Sequence, residues 1–276
     1  MTAGPWSHHR SDSVADDIEF EIKGQELQFL EIELDPGESA VAEAGALVWK
    51  DASVGMTTVF GDGSGDGGGG FMGKLLGAGK RLVTGESLFT TVFTHNGQGK
   101  ARVAFASPTP GAILPLNLGQ LGGRLICQKD SFLAAARGVS IGVQFQRRVL
   151  TGLFGGEGFI MQRLDGDGWV FVQMGGTVVE RELGPGEELH VDTGCLAAYT
   201  PSVEFDLVAA GGVRSVFFGG EGLFFARLRG PGRVWIQSLP FSRLAGRMLA
   251  AAGGGGQNRG EGSVLGSFGD LIGGNN

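Results

Sequence analysis

Charged residues are scarce in this chain, at 18% of its 276 residues, where an ordinary soluble protein has about a quarter. Those present are mostly acidic, since 22 Lys and Arg face 29 Asp and Glu, and the net charge is −7. Binding to nucleic acid depends on clustered Lys and Arg that neutralise phosphates. The composition therefore argues against nucleic acid as a general partner.

Residues that bind metals or act as nucleophiles are also few, with two cysteines and four histidines in the whole chain. Cys127 and Cys195 do not occupy equivalent places in the repeat described below, so we expect buried free thiols rather than a disulfide framework. No H-x-x-x-H or C-x-x-C spacing occurs. The sequence thus predicts no metal, no cofactor and no enzymatic activity.

Long apolar runs are missing as well. No run approaches the 18 residues that a transmembrane helix needs. The polar N-terminus, MTAGPWSHHRSDSVADD, lacks the apolar core of a signal peptide. We therefore expect a cytoplasmic protein, with peripheral contact at a membrane surface as the membrane role that stays open.

What the chain does have is glycine, with 53 residues, and phenylalanine, with 19. Most of the glycines stand between short apolar runs or in two low-complexity stretches. This pattern is typical of many short strands joined by tight turns. Together with a hydrophobic content of 42%, it predicts an all-β protein with a sizeable core.

The same stretch of sequence is written three times, as LVWKDASV from Leu47, FLAAARGV from Phe132 and LAAYTPSV from Leu196. A glycine–glutamate pair follows each copy after a β-type run. The second and third copies are 64 residues apart, while the first contains about 14 additional residues before its glutamate. A period of this length indicates three copies of one supersecondary unit, stacked so that each covers its neighbour's apolar face.

Copies one and three also share a turn of the form L-x-P-G-E, at Leu34 and Leu183. Proline fixes the first turn dihedral, and the glycine takes the position where a positive φ is favourable. The glutamates of these turns, Glu38 and Glu187, are expected to accept N–H groups of their own turn.

These signals predict an ordered core between two tails, with one helix, SRLAGRMLAAA, in which Ser242 is the N-cap. The expected segments are a flexible tail at 1–17, repeat 1 at 18–108 with a Gly-rich insert at 61–80, repeat 2 at 109–169, repeat 3 at 170–241, the helix at 242–252 and a disordered Gly/Asn-rich tail at 253–276.

The glutamates of the three glycine–glutamate pairs are the first candidate binding residues, since the repeat makes them equivalent: Glu86, Glu157 and Glu221. As a ring of carboxylates they would bind a cation or a basic partner. As separate residues they would accept backbone N–H groups in their own turns. The sequence favours the second, structural role and leaves the first open.

The insert in copy one is the second candidate, because insertions in a repeat map to loops, which often carry function. Its apolar and basic side chains would suit an anionic membrane surface or a protein partner. The alternative is a loop folded back on the edge of the first repeat. The residues expected to make surface contact are Phe71, Met72, Lys74, Leu75, Leu76, Lys80 and Arg81.

Several longer motifs together resemble one family: GALVWKDASVGM, GDGSGDG, LLGAGKRLVTGESLF and GPGRVWIQSLPFSRLAGR. From Ile18 to Leu249 the chain is similar to the bacterial branch of the altered-inheritance-of-mitochondria protein 24 family. The resemblance implies three units similar to the tryptophan-binding RNA attenuation protein (TRAP-like units), double-stranded β-helix-like in fold, in one pseudo-threefold body. It also implies a link to mitochondrial biogenesis in eukaryotic relatives, and it brings no catalytic residues.

The function expected from these observations is a non-enzymatic binding or scaffolding module that meets a membrane surface or protein partner through the repeat-1 insert. Exposed strand edges would also allow a homo-oligomer. The alternative is a small-molecule binder or enzyme with a pocket at the pseudo-threefold axis.

Overall fold

The computed structural model describes residues 15–60, 89–107, 109–147, 159–209 and 224–252. Most of these residues lie in strands, which confirms the predicted all-β class. The strands are β1 (Glu19–Lys23), β2 (Phe29–Leu34), β3 (Ser39–Glu43), β4 (Leu47–Lys50), β5 (Val54–Phe60), β6 (Phe89–His95), β7 (Ala101–Ala106), β8 (Gly111–Asn117), β9 (Arg124–Gln128), β10 (Phe132–Ala136), β11 (Ser140–Arg147), β12 (Phe159–Asp165), β13 (Trp169–Gly175), β14 (Val178–Leu183), β15 (Glu188–Asp192), β16 (Leu196–Tyr199), β17 (Glu204–Ala209), β18 (Phe224–Arg229) and β19 (Gly232–Gln237).

The strands form four sheets, which we call A to D. Sheet A has the order β1-β2-β7-β4, sheet B β5-β6-β3-β10-β13-β8, sheet C β11-β12-β9-β16-β19-β14 and sheet D β15-β18-β17. All pairings between these strands are antiparallel. Apart from β1, the strands fall into three units of six, β2–β7, β8–β13 and β14–β19, and strands at the same place in different units are counterparts. The order in which the strands pair is the same in each unit.

Each six-stranded sheet contains three strands from each of two successive six-strand units. In sheet B, β3 of the first unit pairs with β10 of the second, and in sheet C, β9 of the second pairs with β16 of the third. A closed arrangement of the three units would require β4 to pair with β15. These two strands are instead edge strands of separate sheets, so the described residues form an open series.

The core lies in three layers between successive sheets. The first cluster joins sheets A and B and includes Phe105 and Phe171. The second joins sheets B and C and includes Trp235, and the third joins sheets C and D and includes Met161. Sheets B and C are therefore covered on both faces, which fits the near-continuous burial of their inner strands β10, β12 and β13.

The two L-x-P-G-E turns have the predicted conformation. Gly37 and Gly186 have φ values of 92° and 77°, where a Cβ would be strained. The carboxylate of Glu38 accepts the N–H of Asp35, and that of Glu187 accepts the N–H of Gly184, at 2.8 and 3.0 Å. The predicted role of both glutamates within their own turns is confirmed.

Within the described part of the chain there is one α-helix, α1, which spans Phe241–Ala252. The predicted N-cap is wrong, because Ser242 lies inside the first turn. The carbonyl oxygen of Pro240 accepts the N–H groups of Arg243 and Leu244, so the helix begins one residue earlier than the apolar period indicated. Met248 and Leu249 remain exposed in the structure.

Three further expectations concern the thiols and the segment bounds. Both cysteines are free, with Cys127 buried and Cys195 only half-buried. The strand pattern places the last strand of the second unit at Trp169–Gly175, a few residues beyond the predicted repeat boundary at 169. At the N-terminus, the carboxylate of Asp16 accepts the N–H of Ser39 at 2.8 Å, so the ordered chain starts before Ile18.

Candidate functional site

The candidate residues of the sequence lie outside the described residues. Residues 61–88, 148–158 and 210–223 contain the three glutamates Glu86, Glu157 and Glu221. They also contain all seven surface-contact candidates: Phe71, Met72, Lys74, Leu75, Leu76, Lys80 and Arg81. Both predictions therefore stand as predictions, and the structure contributes the strands on either side.

Those flanking strand ends share one end of the molecule, which we call the loop end. Phe60 and Phe89 are paired at the ends of β5 and β6, and β11 with β12 and β17 with β18 are their counterparts. The short 3-10 helix Lys129–Ser131 connects the last residue of β9 to the first of β10, so sheets B and C have their loop ends side by side. The three segments thus leave and rejoin the sheets on one side.

Buried glutamines are concentrated at the loop end. Gln237, the last residue of β19, donates from Nε2 to Gln128 Oε1 at 3.2 Å and to the carbonyl of Gly194 at 3.0 Å. Its Oε1 accepts the N–H of Gly175 at 2.8 Å. This one side chain therefore bonds sheet C to sheet B and to the turn that precedes β16.

Two buried acceptors at this end have no hydrogen-bond partner within the described part of the chain. They are Oε1 of Gln162 and Oε1 of Gln173, whose residues are only 2% and 7% exposed. The Nε2 of Gln173 donates to the carbonyl of Asp130 at 2.8 Å. Burying an acceptor without a donor is unfavourable, so these atoms are suited to an N–H or O–H donor from outside the described residues.

Glu43 ends β3 at the same place. The pKa of its carboxyl is raised to about 7, mainly by burial and then by the negative charge of Asp130, while Lys129 opposes the shift. Its counterparts by pairing register are Gln128 and Asp192. The loop end therefore carries one carboxyl group that changes charge near neutral pH.

The described residues bring together no metal-binding set. No group of three His, Cys, Asp or Glu is close enough to hold a metal among them. Burial raises the pKa of Cys127 to about 12, so its thiol stays protonated at neutral pH. His95 is buried at the end of β6, where its Nδ1 accepts the N–H of Gly97 and its Nε2 contacts the carbonyl of Gly99.

The outer face of sheet A carries a network of ion pairs. Lys100 pairs with Glu19 and Glu33, and Arg102 pairs with Glu33 and with Glu31. Hydrogen bonds from Lys100 and then Arg102 lower the pKa of Glu33 to about 2. This face is therefore polar in the isolated chain, in contrast to β4 at its edge.

The glutamines at the loop end were missed from the sequence, although a signal for two of them exists. Gln173 and Gln237 close the runs VFVQ and VWIQ, 64 residues apart, and so follow the repeat. An amide that recurs at the end of an apolar strand indicates a buried hydrogen-bonding position. Gln128 and Gln162 carry no such signal, because their burial depends on pairing between strands distant in sequence.

Comparison with known proteins identifies the family. Residues 20–239 match the family described as Mitochondrial biogenesis AIM24. The chain belongs to this family. An uncharacterized protein of Streptococcus pyogenes serotype M6 is 30% identical over 229 residues, which are 82% of this chain and 87% of that protein. The family resemblance drawn from the sequence motifs is confirmed.

A solved structure shares the fold. The crystal structure of the Streptococcus pyogenes protein SPYM3_0169 is 26% identical in sequence and has a TM-score of 0.67. The match covers 85% of this chain and 99% of the streptococcal one. Within the residues that the structure describes, no helix is long and apolar enough to cross a membrane.

Proposed function

We propose that this AIM24-family chain is a non-enzymatic scaffolding module that holds three loop segments side by side for contact with a surface. The observation that carries the proposal is the shared loop end. The strand ends that flank residues 61–88, 148–158 and 210–223 all lie there. A stack of sheets with buried faces is a rigid support, and rigid supports that carry variable loops are a common way to build binding surfaces.

Of the three segments, 61–88 is the longest and has the largest number of basic residues, Lys74, Lys80 and Arg81, which stand beside apolar side chains. The surface that it would bind is an anionic membrane, because basic residues are attracted to anionic headgroups and neighbouring apolar side chains insert at the interface. A protein partner with an acidic, apolar surface is the other outcome of the test.

Co-sedimentation of the full chain with vesicles tests this proposal. Vesicles with phosphatidylserine are compared with pure phosphatidylcholine vesicles, at low and physiological salt. We expect binding to the anionic vesicles only, falling severalfold as salt rises. Deletion of residues 61–80, or replacement of Lys74, Lys80 and Arg81 by glutamine, should abolish binding.

A matched control replaces three exposed arginines on other parts of the sheets, Arg137, Arg181 and Arg229, by glutamine. This variant loses the same charge and should retain binding. Failure of the native chain to bind either vesicle would exclude the membrane role. Equal loss in the control would show that net charge, rather than the insert, determines binding.

A further inference from the structure

Strand β4 is exposed where its two counterparts are buried. All residues of β10 and β16 are buried, whereas Leu47, Val48 and Trp49 of β4 are 36%, 54% and 37% exposed. The three strands have the same place in the repeat and the same bulge where they pair with β7, β13 and β19. Their difference in burial therefore comes from two neighbours that β4 lacks among the described residues: a second sheet packed against sheet A, and a strand along its other side.

That other side is a strand of the preceding unit. β10 pairs with β3, and β16 pairs with β9, but β4 belongs to the first unit and ends sheet A. At the opposite end of the series, β15 is the counterpart of β3 and β9, and it is the edge strand of sheet D. One chain thus has two free edge strands, β4 and β15, of the same two types that pair with each other twice inside the chain.

We infer that β4 of one chain pairs with β15 of a second copy of the same chain, so that sheet A and the neighbour's sheet D form one continuous antiparallel sheet. The interface is head-to-tail, because the two edges differ. Such heterologous contacts repeat from copy to copy and build rings or filaments. The occupant is a second copy because the two internal junctions show how these strand types pair.

The internal junctions also give the register. Ala134 is opposite Ala42 and Ala198 is opposite Cys127, while Ala135 is opposite Val41 and Tyr199 is opposite Ile126. Transferred to the free edges by the repeat, this pairing places Trp49 opposite Val191 of the second copy and Lys50 opposite its His190.

The backbone at both edges is oriented for this pairing. The carbonyl of Glu187 accepts the N–H of Gly230 on the β18 side. Backbone groups alternate sides along a strand, so those of His190 point to the open edge. In the same way, the N–H of Asp51 donates to the carbonyl of Arg102 on the β7 side. The backbone N–H and C=O of the preceding residue, Lys50, therefore point to the open edge of β4.

Side-chain chemistry agrees with the register. Trp49 lies opposite Ala104 on β7, at the position where Ala134 faces Phe171 and Ala198 faces Trp235. Each pair has one large aromatic and one alanine, and the aromatic is fully buried in the two internal cases. Trp49 would gain the same cover from the second copy.

Charge is also complementary at this edge. Glu188 and Asp192 flank His190 on the same face of β15. Residues diagonally opposite across strands interact when their charges differ. Lys50 would therefore lie between two carboxylates of the second copy.

Sedimentation velocity of the full chain and two single-edge variants tests the inference. The native chain should form particles of more than one copy at micromolar concentration. Trp49→Glu places a charge at the covered position of β4, and His190→Pro removes an edge N–H of β15 without touching its pairing with β18. Each variant should be a monomer with native circular dichroism. Val179→Glu, at an exposed apolar position of the edge strand β14, is the matched control and should assemble like the native chain.

Mixing the two variants gives the sharpest result. The Trp49→Glu chain retains its β15 edge and the His190→Pro chain retains its β4 edge, so together they should form a 1:1 dimer and nothing larger. A monomeric native chain, an assembly that neither variant disrupts, or a mixture that stays monomeric would each overturn the inference. The first outcome would assign both edges to another occupant, such as a segment of the same chain outside the described residues.

A disulfide trap checks the register without relying on loss of assembly. The half-buried Cys195 is first replaced by alanine, which is the residue at the corresponding position of the first unit. In this background, the cysteines of Lys50→Cys and His190→Cys should form a disulfide between chains, because opposite residues are about 5.5 Å apart in a hydrogen-bonded pair. Oxidation should give a ladder of covalent oligomers. The control pair Lys50→Cys and Glu188→Cys is diagonal, about 7–8 Å apart, and should crosslink poorly. Equal crosslinking in both would contradict the register.

Discussion

Glu43 is the residue whose charge state matters most for the loop end. Its pKa is raised to about 7 because burial disfavours the charged carboxylate. A carboxyl with a higher pKa in the folded chain binds more protons there than in the unfolded chain, so folding stability falls as the pH rises from about 4.5 to 7 and stays lower above.

Glu43→Gln should therefore raise the free energy of unfolding at pH 8 by about 2 kcal/mol, from 1.4 kcal/mol per unit of pKa shift reduced for partial exposure, and change it little at pH 4.5. The second unit has a glutamine, Gln128, at the same place, which indicates that the backbone accepts this side chain. Urea unfolding across this pH range gives the measurement. Glu182→Gln on an exposed face is the control, and equal behaviour of the two variants would refute the assignment to Glu43.

Residue-level prediction succeeded where a short motif determines the geometry. The turns at Gly37 and Gly186, and the bonds made by Glu38 and Glu187, follow from L-x-P-G-E alone. It failed for Gln128 and Gln162, whose burial requires pairing partners far away in the chain. Ser242 was misassigned for a related reason: α1 begins directly after Pro240, which has no side-chain acceptor and is not found by a search for polar N-cap residues.

At the scale of elements, one pair of facing residues on neighbouring strands always contains a large and a small side chain, but the two change places between units. The aromatic is on β4 in the first unit, as Trp49, and on β13 and β19 in the others, as Phe171 and Trp235. Alignment of the three copies shows which strands correspond, but it does not show that the large and small residues change places, because the two partners of each pair are tens of residues apart in the chain. The pairing has to be known before the compensation is visible.

We therefore expect replacement of the aromatic residue by alanine to lower the free energy of unfolding by different amounts in different units. Phe171→Ala removes a fully buried ring and should lower the free energy of unfolding by about 3–5 kcal/mol. Trp49→Ala should cost less than about 1.5 kcal/mol, since the side chain is partly exposed in the single chain. Both are measured by chemical unfolding in the His190→Pro background, so that assembly does not contribute. A cost for Trp49→Ala as large as that for Phe171→Ala would show that the ring is already buried within one chain.

At the scale of the whole molecule, the sequence predicted three units but not how they join. A period of 64 residues indicates equivalent units, and it is silent about which strands pair between them. The structure divides each interior sheet between two units, through β3 with β10 and β9 with β16. An open series with two unlike ends follows from that division, because the first and last units each lack one neighbour.

Hydrogen exchange of backbone amides would resolve this whole-molecule arrangement. Amides at the internal junctions, such as those of Val41 and Ala135, lie in sheets that are covered on both faces. They should therefore exchange only on global unfolding, at any protein concentration. The amides of Lys50 and His190 point to open edges, so they should exchange quickly in dilute protein and become protected as concentration rises and copies pair. Protection of both edge amides in dilute monomer would mean that the series is closed by the chain itself, and fast exchange at every concentration would mean that the edges remain free.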